Sequence, residues 1–301
     1  MIVLPPALLF KALVGAILAS IGLSLVGVLI VRMRITSVGY CMSHAAFAGA
    51  ALGMLLQAYH LEVEPMSFAI LFSLITALIL GPVSQKTQLA TEIILGVLFS
   101  LFIALGFIFL SFIPTGVVSS QSLAILWGSI FGLQWIDFIW LSIILVITVI
   151  VLIVFYKEFL AVMFHPKLAA AGGVNVKFFQ FFVLCITALV VSFSLRIIGA
   201  LLVYALIINP SSTVYQFVYD LKKLFLYSPI VALVTAIVGM YISLLFGLPV
   251  ASSLIIVSSF FFIIAAVFSP KRRTENLTRK KKETREKNSS EQTTPLTQLK
   301  P

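Results

Sequence analysis

The chain is 301 residues long, 61% hydrophobic and only 10% charged, with a mean hydropathy of +1.18. Soluble domains hold about 45–50% apolar and about 25% charged residues, so this balance excludes a soluble core and indicates an integral membrane protein. The formal net charge is +10, but residues 271–301 hold ten Lys/Arg against four Asp/Glu and so supply most of it from one short tail; this basicity does not point to nucleic acid.

A helix needs about 20 apolar residues to cross the hydrocarbon core. In chain order, apolar runs of that kind lie near 7–31, 38–56, 66–82, 93–113, 137–156, 178–195, 197–217, 225–246 and 251–269. The sequence therefore predicts an all-α polytopic bundle of about eight or nine spans, with residues 1–270 as the membrane domain and 271–301 as a tail. The two counts differ at one place, where Leu195, Arg196 and Ile197 are all that separates the sixth run from the seventh. The first run is longer than a signal-peptide core and has no basic leader before Pro5 and Pro6, so it reads as a true span.

Lys and Arg gather in every second gap: Arg32 and Arg34, Lys86, Lys157 with Lys167 and Lys177, Lys222 with Lys223, and Lys271 to Arg273. The positive-inside rule puts those gaps in the cytoplasm, the N-terminus outside and the tail inside. The opposite loops carry His60, Glu62, Glu64 and Asp137, with Arg196 as their main positive charge. Between Pro114 and Trp135 the chain is too polar at first for a span and too apolar afterwards for a free loop, which predicts a re-entrant or surface-lying helix. The tail is rich in Lys, Arg, Glu, Ser and Thr, lacks aromatics, and reads as disordered and able to touch anionic membrane lipid.

Several residues stand out inside this apolar background. Ala45, Gly49 and Gly53 recur every fourth residue, a small-residue stripe that lets helix backbones approach closely and implies a buried second helix. His44 is the only ionisable residue in the middle of that span; intramembrane histidines face a cavity or a partner because burial against lipid is costly. Tyr40 and Cys41 lie four and three residues earlier on the same helical face, so phenol, thiol and imidazole could meet at one point, a donor set suited to a borderline transition metal. Asn209 with Pro210, and Gly247 with Pro249, mark later places where a span is expected to break or bend.

The basic connection Lys157–Lys177, KEFLAVMFHPKLAAAGGVNVK, contains a helix-compatible piece running from His165 and Pro166 through Lys167 and Ala169 to a stop at Gly172 and Gly173. A structured helix there is what a membrane domain needs if a soluble motor is to push it. No phosphate-binding loop, nucleophile elbow or zinc-protease motif is present. The chain is thus not read as an enzyme, and any ATP that drives it binds to another subunit.

The stretch Arg32–Gly53, RMRITSVGYCMSHAAFAGAALG, resembles the permease family of zinc, manganese and iron ABC importers. TEIILGVLFSLFIALGFIFLS, AILWGSIFGL, HPKLAAAGGVNV and IIGALLVYALIINPSST follow in the family's order, so the resemblance covers about residues 10–270. It implies a homodimeric permease of the type shared with vitamin and siderophore importers, located in the cytoplasmic membrane of a prokaryote. It also implies a coupling helix at His165–Gly173 that seats in a cytoplasmic ATPase dimer, and outer loops that receive a divalent metal from a solute-binding protein. His44 takes the place of the family's pathway histidine. The family's acidic residue four positions earlier is here Tyr40. An ABC permease for a chelate or other organic ligand, an ion-driven secondary transporter and a non-transporting membrane protein are the other classes such a chain could belong to.

Overall fold

A computed structural model describes residues 6–86, 91–114 and 134–270. The segment expected to be re-entrant and the tail lie outside these described residues, which contain helices and no strand. The helices are α1 (Pro6–Met33), α2 (Ser37–Ala58), α3 (Pro65–Lys86), α4 (Thr91–Ser111), α5 (Trp135–Val154), α6 (Tyr156–Phe164), α7 (Pro166–Ala171), α8 (Val176–Ile198), α9 (Ala200–Tyr215), α10 (Leu221–Phe246) and α11 (Val250–Val267).

Seven of them are long and apolar enough to cross a membrane, and Pro65–Leu80 of α3 and Ala200–Tyr215 are shorter apolar helices. Each corresponds to one of the nine apolar runs. The boundary between α8 and α9 lies at Gly199, beyond the Leu195–Ile197 interruption, and Gly199 adopts φ +79°. A side chain is strained in that region and glycine is not. Of the two expected breaks, the one at Gly247 and Pro249 is present: α10 ends at Phe246, Gly247 caps it at φ +64° and Pro249 caps the start of α11. At the other, α9 continues through Asn209 and Pro210 to Tyr215.

α2 lies at the centre of the bundle: Val38, Cys41, Met42 and the run from Ala45 to Ala48 are almost wholly buried. A Cβ on Gly49 would overlap the Phe68 carbonyl, and one on Gly53 would lie 2.5 Å from the Pro65 Cα, so the small-residue stripe forms the α2–α3 seam. Gly27 does the same for α1 against α9, where an added Cβ would overlap the Ile207 carbonyl and come within 2.8 Å of the Ser211 Oγ. By contrast α4, α5, α10 and α11 turn rows of large apolar side chains outward, among them Val97, Ile147, Ile237 and Ile256. Those faces suit hydrocarbon or another apolar surface.

With no water inside a bilayer, buried hydroxyls must find partners within the protein. Ser73 and Ser192 join α3 to α8 at 2.5 Å and also bond the carbonyls of Ala69 (2.6 Å) and Ala188 (2.8 Å). The Ser211 hydroxyl donates to the Ser24 carbonyl at 2.9 Å, and the Asn209 amide donates to the Ser258 hydroxyl at 2.9 Å, tying α9 to α1 and to α11.

Charge is confined to the two ends of the bundle. At one end the Arg196 guanidinium meets the Asp137 Oδ1 at 2.8 Å and the Glu64 Oε1 at 3.4 Å, while the Asp137 Oδ2 accepts the Gln134 N–H at 2.9 Å. Asp137, with a side chain only 6% exposed, thus ties the start of α5 to the end of α8. Nearby, the Lys11 ammonium sits 5.0 Å from the Trp135 ring centroid, joining α1 to α5. At the other end Arg32 lies against the rings of Phe164 and Tyr215, and Lys222 against that of Tyr156.

The seam and the ion pair each generate a prediction. Gly49→Ala should destabilise the protein by about 1–3 kcal/mol, whereas Gly96→Ala, where nothing lies within 4 Å of the added Cβ, should be neutral or slightly stabilising; thermal unfolding in detergent reads both. Arg196→Ala strands the buried Asp137 carboxylate and should cost about 2–3 kcal/mol, against under about 1 kcal/mol for Glu64→Ala, whose carboxylate is 66% exposed. Equal losses in the two variants would show that the Asp137 pair does not hold the helix ends together.

Candidate metal pathway

The candidate site begins with α2. One turn apart on this helix, Tyr40 and His44 approach edge to face, with ring centroids 5.3 Å apart. Phe99 of α4 stacks on Tyr40 at 3.9 Å and meets His44 at 4.8 Å, and Tyr204 of α9 closes on Tyr40 at 4.9 Å. One turn further along α2, Phe47 meets His44 at 6.4 Å. The Phe47 ring lies where any Cβ on Gly106 would be, so the missing side chain is what lets α4 close over α2.

His44 is 5% exposed, and its Nδ1 is buried without a hydrogen-bond partner. Buried polar groups are nearly always satisfied in native folds. A ring nitrogen left open inside an aromatic box is therefore a free donor or acceptor position, available to a metal ion or to water. Tyr40, at the mouth of the box, is 36% exposed.

Of the predicted site residues, Tyr40 and His44 are brought together. Cys41 is fully buried among the apolar side chains of the bundle core. Among the described residues no three or more of His, Cys, Asp and Glu come together as a metal-holding group. His60 and Glu62 are exposed, Glu64 is engaged with Arg196, and His60 adopts φ +63° at the turn out of α2. Sequence reasoning did not select Phe99 or Tyr204. Tyr204 lies inside the motif IIGALLVYALIINPSST, but no spacing rule says that it meets Tyr40.

At the far end, His165, Pro166 and Lys167 begin α7 as an exposed turn of helix, with Ala169 buried beneath it. Gly172 caps α7 and Gly173 turns away at φ +85°. The Asn175 side chain accepts the Phe178 N–H at 3.1 Å to start α8. α6, which precedes α7, is a separate short helix that no sequence signal marked; its Phe159 and Val162 pack it against the bundle. The result is a helical elbow that presents Lys167 and the 67% exposed Leu168 outward.

Residues 6–269 match the model of the ABC 3 transport family. The manganese transport system membrane protein MntC of Listeria monocytogenes is 33% identical over 81% of this chain and 85% of its own length. The high-affinity zinc uptake system membrane protein ZnuB of Haemophilus influenzae is 27% identical over 78% of this chain and 88% of its own. Among solved structures, PsaBC from Streptococcus pneumoniae in complex with Fab contains a chain that superposes with a TM-score of 0.77 at 27% identity, covering 90% of this chain and 95% of that one. The match spans nearly all of the membrane domain and agrees with the helical bundle seen here: the chain is a multi-pass membrane protein belonging to the ABC 3 transport family.

Proposed function

We propose that this chain is the membrane-spanning permease subunit of an ATP-binding-cassette importer that carries a divalent transition metal, manganese or zinc foremost and iron as a further candidate, across a prokaryotic cytoplasmic membrane. The observation that carries the reading is the buried, unpartnered His44 nitrogen inside the box of Tyr40, Phe99 and Tyr204, in a chain whose similar relatives are named as manganese and zinc transport proteins.

A transported cation needs ligands strong enough to draw it in and weak enough to release it. One neutral imidazole with π faces and backbone carbonyls meets that requirement better than a closed carboxylate cage. The outward apolar faces of α4, α5, α10 and α11 leave room for a second copy of the chain, which would bring a second His44 to the path. With the Arg32 end in the cytoplasm, α7 is the coupling helix that a separate ATPase dimer pushes, and the loop holding His60, Glu62 and Glu64 faces a solute-binding protein that delivers the metal. ATP binding and hydrolysis in the partner then open the path alternately to the two sides. The chain itself makes and breaks no covalent bond.

The test is ATP-dependent uptake of manganese, zinc and iron into proteoliposomes holding the chain with its ATPase and binding protein. His44→Ala should lower uptake of the carried metal by at least about tenfold, since even losing an outer partner of a metal ligand costs about 10- to 100-fold in affinity or activity. ATP hydrolysis and protein yield should be kept. Tyr40→Asp, which supplies the carboxylate that the family pattern has, should tighten metal binding. Uptake untouched by His44→Ala would reduce this residue to packing, and no ATP-driven metal uptake with every partner present would overturn the importer reading.

A further inference from the structure

The end of the bundle opposite Arg196 holds a cleft of about 340 Å³, within the about 300–1,000 Å³ of ordinary ligand sites. Its walls come from the last turn of α1, the α6–α7 elbow and the first turns of α8; Arg32, Arg34, Phe164, Pro166, Gln180 and Tyr215 are among its lining residues and none of those lining it is acidic. Pro166 and Gln180 also wall an adjoining cleft that carries Lys167 and Lys177, again with no carboxylate. Among the described residues, neither Arg32 nor Arg34 forms an ion pair, including with Glu158 of the neighbouring α6.

Arg32 is held in a particular way. Its guanidinium lies 4.8 Å from the Phe164 ring centroid and 5.5 Å from that of Tyr215, and its Nε is buried with no hydrogen-bond partner. A guanidinium with a donor that no acceptor in the protein meets has part of its planar fork left for a phosphate, which such a fork binds through two parallel hydrogen bonds. Arg34 adds a second charge from a backbone at φ +58°, where a glycine would be unstrained. Backbone outliers of this kind cluster at ligand clamps and switch regions.

We infer that this cleft is a binding site for a phosphate anion, filled by the headgroup of an anionic phospholipid. The cleft lies where the apolar spans Leu9–Met33 and Val176–Ile198 meet their flanking segments, the place at which a bilayer-length helix reaches the headgroups, and Phe164, Val162 and Met163 give the lipid's glycerol and first methylenes an apolar wall beside the arginines. A lipid there pins the end of α1 to the α6–α7 elbow, so that movement of the elbow and lipid occupancy are linked. The inference needs the membrane-spanning fold and is independent of which metal is carried.

The experiment uses the full-length chain with its ATPase in nanodiscs of phosphatidylcholine with and without phosphatidylglycerol, and reads by native mass spectrometry the lipid that stays on the protein. Phosphatidylglycerol should be retained over phosphatidylcholine, and each of Arg32→Gln and Arg34→Gln should weaken that retention about fivefold, while neutralising Arg272 and Arg273 in the tail should not. Arg34→Gly separates binding from folding, because it removes the charge and relieves the backbone together: thermal stability should hold or rise while retention falls. Displacement of the lipid by millimolar inorganic phosphate alone would overturn the headgroup in favour of a free anion. Unchanged retention in the variants, coupled to loss of the ATPase subunit, would overturn the lipid site in favour of an acidic protein surface.

Discussion

Everything in this bundle depends on how closely helix backbones approach one another where side chains are absent. Between membrane helices there is little hydrophobic drive, since lipid tails are as apolar as leucine, so association rests on close packing and on hydrogen bonds. The chain meets that constraint with Gly49 and Gly53 against α3, Gly27 against α9, and Gly106 against the Phe47 ring. At Gly27 and Gly49 the close approach is to a backbone carbonyl, and at Gly27 also to the Ser211 hydroxyl, while Ser73 and Ser192 link α3 to α8 separately.

The aromatic box follows from this packing. α2 can lie at the centre only because its stripe of alanine and glycine lets α3 and α4 come near. That approach brings Phe99 of α4 onto His44, beside Phe47 of α2 itself, and α9, tied to α1 at Gly27 and Ser211, brings Tyr204 onto Tyr40. His44 thereby comes to lie among aromatic rings with its Nδ1 unpartnered. A tight ligand cage would hold the ion, and a bare apolar wall would exclude it; one imidazole among rings stands between these extremes.

The two ends of the bundle are built differently. At the Arg196 end, opposite charges pair, with Asp137 fully engaged by a guanidinium and a backbone N–H. At the Arg32 end, cations lie against rings, and the buried Arg32 Nε has no hydrogen-bond partner. Paired charges lock helix ends together, while unpaired cations leave a place for an anion from outside the chain. The exposed elbow of α6 and α7 sits at this second end, beside the unpaired Arg32.

Composition and hydropathy alone determined that this is a helical membrane protein, and they located its apolar runs, because a bilayer imposes a length of about 20 apolar residues on any helix that crosses it. The order of small motifs pointed to the family. The stop at Gly172 and Gly173 was legible because glycine punctuation is a local property of the backbone, and so was the buried nature of α2 from its small-residue stripe. The run of α9 through Pro210, the partition of Asp137 to Arg196, and the meeting of Tyr40 with Phe99 and Tyr204 were decided only by the tertiary structure. Those outcomes join residues far apart in the chain, and no periodicity along one helix specifies which face of another it will touch.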